Sequence, residues 1–356
     1  MNAERAIDIA EAAHLPDIRS LTIEELEAAV AEAGDRKFRA RQILDWVWRR
    51  GAETFDAMQG LPAAPREYLK RHFKIGPAPQ ALVVRSSDGT RKLLIRLAGG
   101  EAIESVIIPT EKRVTLCMSS QVGCAMACEF CATAQMGLHR NLTASEIIGQ
   151  ILAARRELAA GEDITNYVFM GMGEPLANYQ QLVRALKIMT AEWGMDISQR
   201  RITVSTVGLV PNMTRLLEET PVNLAVSLHA TTDELRDRLA PINKRYPLDT
   251  LLAACRDLPI KRRSRITFEY VMLAGVNDSA ADAKRLAKLL APIRAKVNLI
   301  FFNPFAGSAL HGSSRDAVEA FQAILKRGNL TATIRESRGL DIAAACGQLY
   351  AERHGN

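Results

Sequence analysis

The chain has no apolar run long enough to cross a bilayer. Stretches rich in apolar residues, such as Val297 to Phe302, fall far short of the roughly 20 residues that a helical span needs. The first 30 residues alternate acidic and apolar positions and lack the unbroken apolar core of a signal peptide. A cytoplasmic protein without a membrane partner is the expectation. Cysteine is sparse, six in 356 residues, too few for a disulfide scaffold in a chain of this length. What remains for those thiols is metal or redox chemistry, and four of the six fall between Cys117 and Cys131. No low-complexity segment interrupts the chain. An apolar content of 48% at this length supports one large core and a smaller appended module. The formal charge of +6 suits a polyanionic partner without requiring one.

The first 80 residues read as helical. Thr22-Ile-Glu-Glu25 is a capping box opening a helix that carries Ile23, Leu26 and Val30 on one face and stops at Gly34. A second helix, Phe38 to Arg50, turns Ile43, Leu44 and Val47 inward and presents Lys37, Arg39, Arg41, Arg49 and Arg50. A third covers Ala64 to Phe73. Taken alone, this basic face is solvated surface; with a nucleic-acid substrate it becomes a phosphate-contacting one. From Ala81 the period becomes strand-like. Asp88-Gly89 marks a hairpin turn between Ala81–Val84 and Lys92–Ile95, and a strand from Glu101 to Ile108 follows, giving a β linker over 81–110.

Beyond residue 110, apolar strands near 114–119, 166–171, 201–207, 223–229, 265–273 and 297–303 alternate with amphipathic helices. Thr143-Ala-Ser-Glu146 caps the first of these helices. Six strand–helix units imply a parallel α/β sheet closed only in part, an incomplete (β/α)6 barrel over 111–350 with its active site at the carboxyl ends of the strands.

Just past the first barrel strand comes Cys124-Ala-Met-Ala-Cys128-Glu-Phe-Cys131. Three thiolates this close can hold three irons of a [4Fe-4S] cluster and leave the fourth open. Zinc normally takes a fourth Cys or His, so the set argues for iron and sulfur. This C-x3-C-x2-C loop, with Phe130 before its last cysteine, resembles the signature of the radical S-adenosylmethionine superfamily. Gly171-Met-Gly-Glu-Pro175, one strand–helix unit later, matches the position of that family's glycine-rich element. The resemblance implies that S-adenosylmethionine chelates the open iron and is cleaved reductively to a 5'-deoxyadenosyl radical.

A narrower resemblance runs from Lys37-Phe-Arg-Ala-Arg-Gln-Ile43 to Cys346. Ser119 to Cys124, Gly171 to Pro175, Val204 to Thr206 with Gly208 to Pro211, Ser227-Leu-His229, Pro241-Ile-Asn-Lys244 and Asp341 to Leu349 are similar to the dual-specificity ribosomal and transfer RNA adenine carbon-2 methyltransferases. By that likeness Gly173, Glu174, Ser205, Ser227, Leu228, His229 and Asn303 contact S-adenosylmethionine, and Cys124, Cys128 and Cys131 ligate the cluster. Singly, such serines are strand-end caps and His229 is a satisfied rim residue. Their recurrence at successive strand ends favours the ligand reading. The implied partners are 23S rRNA, transfer RNA and an electron donor such as flavodoxin, with the protein a monomer.

Carbon 2 of adenine lies between two electron-withdrawing nitrogens and offers no lone pair to a methyl sulfonium. A thiolate is a good soft nucleophile for that methyl, and covalent catalysis divides the transfer into feasible steps. The resemblance implies that Cys346 is methylated, that a radical on its methyl carbon adds to the base, and that Cys117 resolves the adduct by forming a Cys117–Cys346 disulfide. Without the resemblance Cys117 is a buried strand cysteine and Cys346 a small residue beside Gly347. Cys255 shares a helical face with Leu251, Leu252 and Leu258 and reads as core. Glu104 is a carboxylate in an apolar strand, either an ion pair at a sheet edge or, by the resemblance, the base that takes the carbon-2 proton. Methylation at carbon 8 and a non-enzymatic RNA-binding iron–sulfur protein are the competing readings.

Overall fold

The computed structural model describes residues 15–76, 78–261 and 264–351. Residues 1–14, part of the acidic and apolar opening noted above, lie outside them. The chain divides into two compact units. One holds the described residues up to Pro79 with Thr143–Ala153 and Gln180–Ser198; the other holds Gln80–Leu142, Ala154–Tyr179 and the described residues from Gln199 onward.

In the first unit the three expected helices form: α1 (Ile23–Glu32), α2 (Phe38–Trp48) and α3 (Ala63–His72). The Thr22 capping box is closed in both directions, Thr22 Oγ1 accepting from Glu25 N and Glu25 Oε2 accepting from Thr22 N. Glu25 also receives Arg184 through two bonds of 2.5 and 2.8 Å. Leu26, Val30, Ile43, Leu44, Met58 and Leu69 are buried together, each contributing about 2 kcal/mol by leaving water. The basic face of α2 is partly neutralised from within. Arg39 pairs with Asp35 at 3.5 Å and donates to Gln42, and Arg50 pairs with Asp45 at 2.9 Å.

The second unit is built on a ten-stranded sheet. Its strands are β1 (Ala81–Arg85), β2 (Arg91–Arg96), β3 (Ala102–Thr110), β4 (Arg113–Cys117), β7 (Asn166–Phe169), β8 (Ile202–Thr206), β9 (Asn223–Ser227), β10 (Ile266–Met272), β11 (Ala295–Phe301) and β12 (Thr331–Arg335), in that spatial order. β5 (Gln121–Gly123) and β6 (Leu138–Asn141) form a separate small hairpin. From β4 to β12 every neighbour is parallel, and all six expected strands are among them. β12 adds a seventh parallel strand that the apolar pattern did not announce, because its Thr331, Thr333 and Arg335 are exposed. β1, β2 and β3 continue the same sheet: β3 runs antiparallel to β4 with Val106 opposite Cys117. Apolar residues such as Leu116, Val204, Leu224, Phe268 and Leu299 are buried along the sheet, and the polar Ser205, Thr206 and Ser227 stand at the carboxyl ends of β8 and β9. Among the described residues no helix is long and apolar enough to cross a membrane.

Candidate active site

Loops at the carboxyl ends of the parallel strands surround an open cleft of about 940 Å³, a volume that includes the solvent at its mouth. Cys124, Cys128 and Cys131 line it from the loop after β5, Gly173 and Glu174 from the turn after β7, Ser205 from β8, Ser227 from the end of β9 and His229 from just beyond it, Asn303 from beyond β11, and Cys346 from beyond β12. Leu228 is the one expected cofactor contact not on this wall. It is buried, its N–H donating to Glu269 O at 3.0 Å.

The cysteine loop is fixed by its backbone. Cys124 N donates to Gly137 O at 2.8 Å, Cys131 N to Cys128 O at 3.2 Å, and Ala132 N to Gly347 O at 2.7 Å. Burial pushes the Cys124 thiol up to about 11, and Cys128 and Cys131 are raised as well. Buried protonated thiols of this kind are what a metal converts to thiolates as it binds. Among the described residues no three His, Cys, Asp or Glu side chains converge on one ion-sized point. A cubane asks something different of its ligands: three thiolates around a volume, each on its own iron. A three-cysteine loop on a cleft wall fits that demand.

The glycine-rich turn is sterically fixed. A Cβ on Gly171 would sit 2.7 Å from Met118 O, and Gly173 has φ +93° with Gln121 Cβ 2.5 Å from where its own Cβ would be. Glu174 is buried and braces two strand ends, accepting from Leu176 N at 3.0 Å and Val207 N at 2.8 Å. Burial raises it to about 7 against those bonds.

His229 adopts a left-handed backbone, φ +60°, and stands edge-on to Phe130 with ring centroids 4.3 Å apart. Its Nδ1 accepts from Val271 N at 3.0 Å, so the proton of the neutral ring is on Nε2. Burial, with Arg236 nearby, pushes its pKa down to about 3. Arg236 is fully buried in the helix Asp233–Leu239, with its guanidinium bonded to the carbonyls of Val207, Ser227 and Leu228 and to Asn243 Oδ1. It joins the carboxyl ends of β8 and β9.

A second cavity, about 640 Å³, is lined by both Cys117 and Cys346. Cys117 is buried and its thiol is pushed up to about 12 by burial and by Cys346. Cys346 is exposed, although crowding by protein around its sulfur still raises its pKa. Asn303 Nδ2 donates to Cys346 O at 3.0 Å, and Ser337 Oγ donates to Asn303 Oδ1 at 2.6 Å, so this amide is already engaged in holding the cysteine. Glu104 lines neither cavity. It is buried on β3, paired with Lys92 at 2.9 Å and accepting from Tyr350 N at 2.9 Å. Cys255 is buried in the helix Leu248–Asp257, as its spacing predicts.

Sequence reasoning passed over Glu269, Arg236 and the arginines Arg335 and Arg338 of the second cavity. Glu269 carried a usable signal, a carboxylate inside an apolar strand, the same one that singled out Glu104.

A partial parallel barrel with three cysteines and a glycine-rich turn at its strand ends defines a radical S-adenosylmethionine enzyme. The Radical SAM superfamily profile matches residues 118–287, and a crystal structure of a radical SAM methyltransferase from Sphaerobacter thermophilus superposes with a TM-score of 0.88 at 47% identity, covering 95% of this chain and 100% of that one. The profile of the ribosomal RNA large subunit methyltransferase N-terminal domain matches residues 16–75. The dual-specificity RNA methyltransferases RlmN of Geobacter sulfurreducens and Anaeromyxobacter dehalogenans are each 52% identical to this chain, covering 94% and 95% of it and 91% and 92% of their own lengths. The chain belongs to the RlmN family of dual-specificity RNA methyltransferases.

Proposed function

We propose that this protein methylates carbon 2 of an adenosine in 23S rRNA and in transfer RNA, with Cys346 as methyl carrier and Cys117 as the thiol that releases the product. The observation that carries the reading is that Cys117 and Cys346 share one cavity while Cys346 also lines the cleft of the three-cysteine loop. Cys124, Cys128 and Cys131 would hold a [4Fe-4S] cluster which, with S-adenosylmethionine and an electron from a donor such as flavodoxin, supplies a 5'-deoxyadenosyl radical.

The remaining roles belong to the chain. Gly173 lets the backbone approach the methionine moiety, and Glu174, Ser205, Ser227, Leu228, His229 and Asn303 orient the rest of S-adenosylmethionine. His229 offers only a neutral Nε2–H, so it orients without adding charge. Cys346 accepts a methyl group, which gives up a hydrogen atom to the 5'-deoxyadenosyl radical and then bonds through its carbon to the base. Glu104 takes the carbon-2 proton once its pair with Lys92 opens. Cys117 then attacks the Cys346 sulfur and the methylated base leaves as the disulfide forms, its carbon taking a proton and the one surplus electron being one that the oxidised cluster would accept. The helices α1 to α3 serve as an RNA-binding accessory domain, with the arginines of α2 toward phosphate.

The test is nucleoside mass spectrometry of ribosomal and transfer RNA after anaerobic incubation with the reconstituted, reduced enzyme. 2-Methyladenosine is the expected product. 8-Methyladenosine alone would overturn the position, and a reduced enzyme that releases no 5'-deoxyadenosine would overturn the radical chemistry.

A further inference from the structure

β10 is buried along all seven of its residues, yet one of them is Glu269. A carboxylate at such a position is costly unless it is paired or used. Its Oε1 accepts from Asn298 Nδ2 at 2.9 Å. Asn298 lies directly across the ladder on β11, and Thr333, next in the same row on β12, donates its hydroxyl to Asn298 Oδ1 at 2.6 Å. That bond fixes which end of the amide faces Glu269, so the row Thr333, Asn298, Glu269 aims one carboxylate. The other oxygen, Oε2, accepts no hydrogen bond from the described residues. Glu269 lines both cavities, and Cys346 is the only other ionisable residue among those described that does so.

We propose that Glu269 is the proton acceptor for the Cys346 thiol when Cys346 receives its methyl group. The inference rests on the reading of Cys346 as methyl carrier and adds the group that activates it. In the step, the Cys346 S–H bond breaks and its proton goes to Glu269 Oε2. The freed electron pair forms the bond to the methyl carbon of S-adenosylmethionine, and the carbon–sulfonium bond breaks with its pair staying on the departing sulfur. Neutral S-adenosylhomocysteine leaves, Glu269 is protonated, and nothing is oxidised or reduced. Burial and the Glu269 carboxylate hold the Cys346 thiol protonated against the opposing pull of Arg335, which lines the second cavity with both, so a nucleophile at this position gains from a proton acceptor in the same cavity.

The two possible effects of Glu269 have opposite signs, which makes the test decisive. As a mere negative neighbour, Glu269 suppresses the thiolate, and E269Q would speed alkylation of Cys346 by iodoacetamide. As proton acceptor, its loss slows that alkylation. The experiment uses cluster-loaded enzyme and reads the Cys346 peptide by mass spectrometry, first after iodoacetamide and then after isotopically labelled S-adenosylmethionine without RNA. E269Q should slow methyl loading on the order of a hundredfold and slow alkylation as well, and E269D should recover part of both. Alkylation that is unchanged or faster in E269Q, or an E269D variant as slow as E269Q, overturns the proposal. If E269Q does not retain its cluster, N298L takes its place, since it removes the donor that aims the carboxylate. It should slow loading, and wild-type loading in N298L overturns the proposal. Failure of the underlying reading has a separate signature: C346A enzyme that still methylates RNA, whatever is done at Glu269.

Discussion

Replacing Arg236 by methionine keeps the length of its apolar stem and removes its guanidinium. Four acceptors then lose the guanidinium as a donor: Val207 O, bonded at 2.7 Å, Asn243 Oδ1 at 3.0 Å, Leu228 O at 3.1 Å, which keeps only Ala230 N, and Ser227 O at 3.3 Å. Water cannot take the place of the guanidinium, because residue 236 is fully buried. At about 1 kcal/mol for each hydrogen bond lost, the loss is about 4 kcal/mol. Removing a buried charge offsets part of it. Burial pushes Arg236 down only to about 10, so it carries that charge at neutral pH. The net expectation is a destabilisation of about 3 kcal/mol. R236K keeps the charge but not the planar fork and should lose about 2 kcal/mol. Far-UV circular dichroism during urea unfolding measures the total. Tryptophan fluorescence does not, because Trp46, Trp48 and Trp193 all lie in the other unit. Amide exchange at Val207 and Leu228 reads the strand ends directly, and both should exchange faster in R236M. The strand ends carry Ser205, Ser227 and His229, so affinity for S-adenosylmethionine should fall with them. A cost below about 1 kcal/mol, or an R236K variant as stable as wild type, would refute the reasoning.

The other expectations are briefer. Alanine at any one of Cys124, Cys128 or Cys131 should abolish the brown cluster and all cleavage of S-adenosylmethionine, read by visible absorbance and 5'-deoxyadenosine release; retained cleavage removes that residue from the ligand set. C346A should form neither adduct nor product, whereas C117A should accumulate enzyme covalently attached to RNA as a slow band on a denaturing gel, sensitive to both protease and ribonuclease; normal turnover by C117A would make it a strand residue only. His229 is held at about 3 against an ordinary 6.5, so its contribution to stability is complete above pH 6.5 and lost as pH falls toward 3, at about 1.4 kcal/mol per pH unit. H229Q should flatten that part of the urea-unfolding free energy against pH. Charge reversal at Arg41 and Arg49 should weaken RNA binding and lower its salt slope while uncoupled S-adenosylmethionine cleavage continues; Arg39, held between Asp35 and Gln42 and less exposed than Arg49 beside Asp45, should matter less.

What was legible in the sequence was whatever local spacing controls. Three cysteines within eight residues must share a loop. Gly171-Met-Gly-Glu174 must turn where Cβ atoms do not fit, and alternating apolar strands and amphipathic helices must build a parallel sheet. Arg236 was illegible for the converse reason. Asp-Glu-Leu-Arg-Asp-Arg-Leu reads as a solvated helix, yet its buried residues are Arg236 and Leu239, one turn apart on the inner face. No pattern of apolar residues announces a buried guanidinium whose partners are carbonyls on two other elements. β12 escaped for a related reason, since its polar side chains face solvent and cavity where a core strand would show valine or leucine.

The segment that carries Cys346 was the least legible of all, and its bonding explains why. From Ser337 to Tyr350 its only regular element is a short 3-10 turn, Leu340–Ile342. Its place is set by single hydrogen bonds from remote parts of the second unit: Ser86 and Ser87 to Asp341, Asn303 to Cys346 O, Ala132 N to Gly347 O, Thr133 Oγ1 to Leu349 O, and Tyr350 N to Glu104. Partners so distant in the chain leave no local pattern. Each such bond contributes about 1 kcal/mol, so together they fix Cys346 at the join of the two cavities, yet each can open without disturbing a ladder. The carrier role proposed for Cys346, which asks it to meet S-adenosylmethionine, then the base, then Cys117, needs this kind of attachment. Placed in a strand, Cys346 would be held in one register; on a strap of separate bonds, one of them to the proposed base Glu104, its position can change as the reaction proceeds.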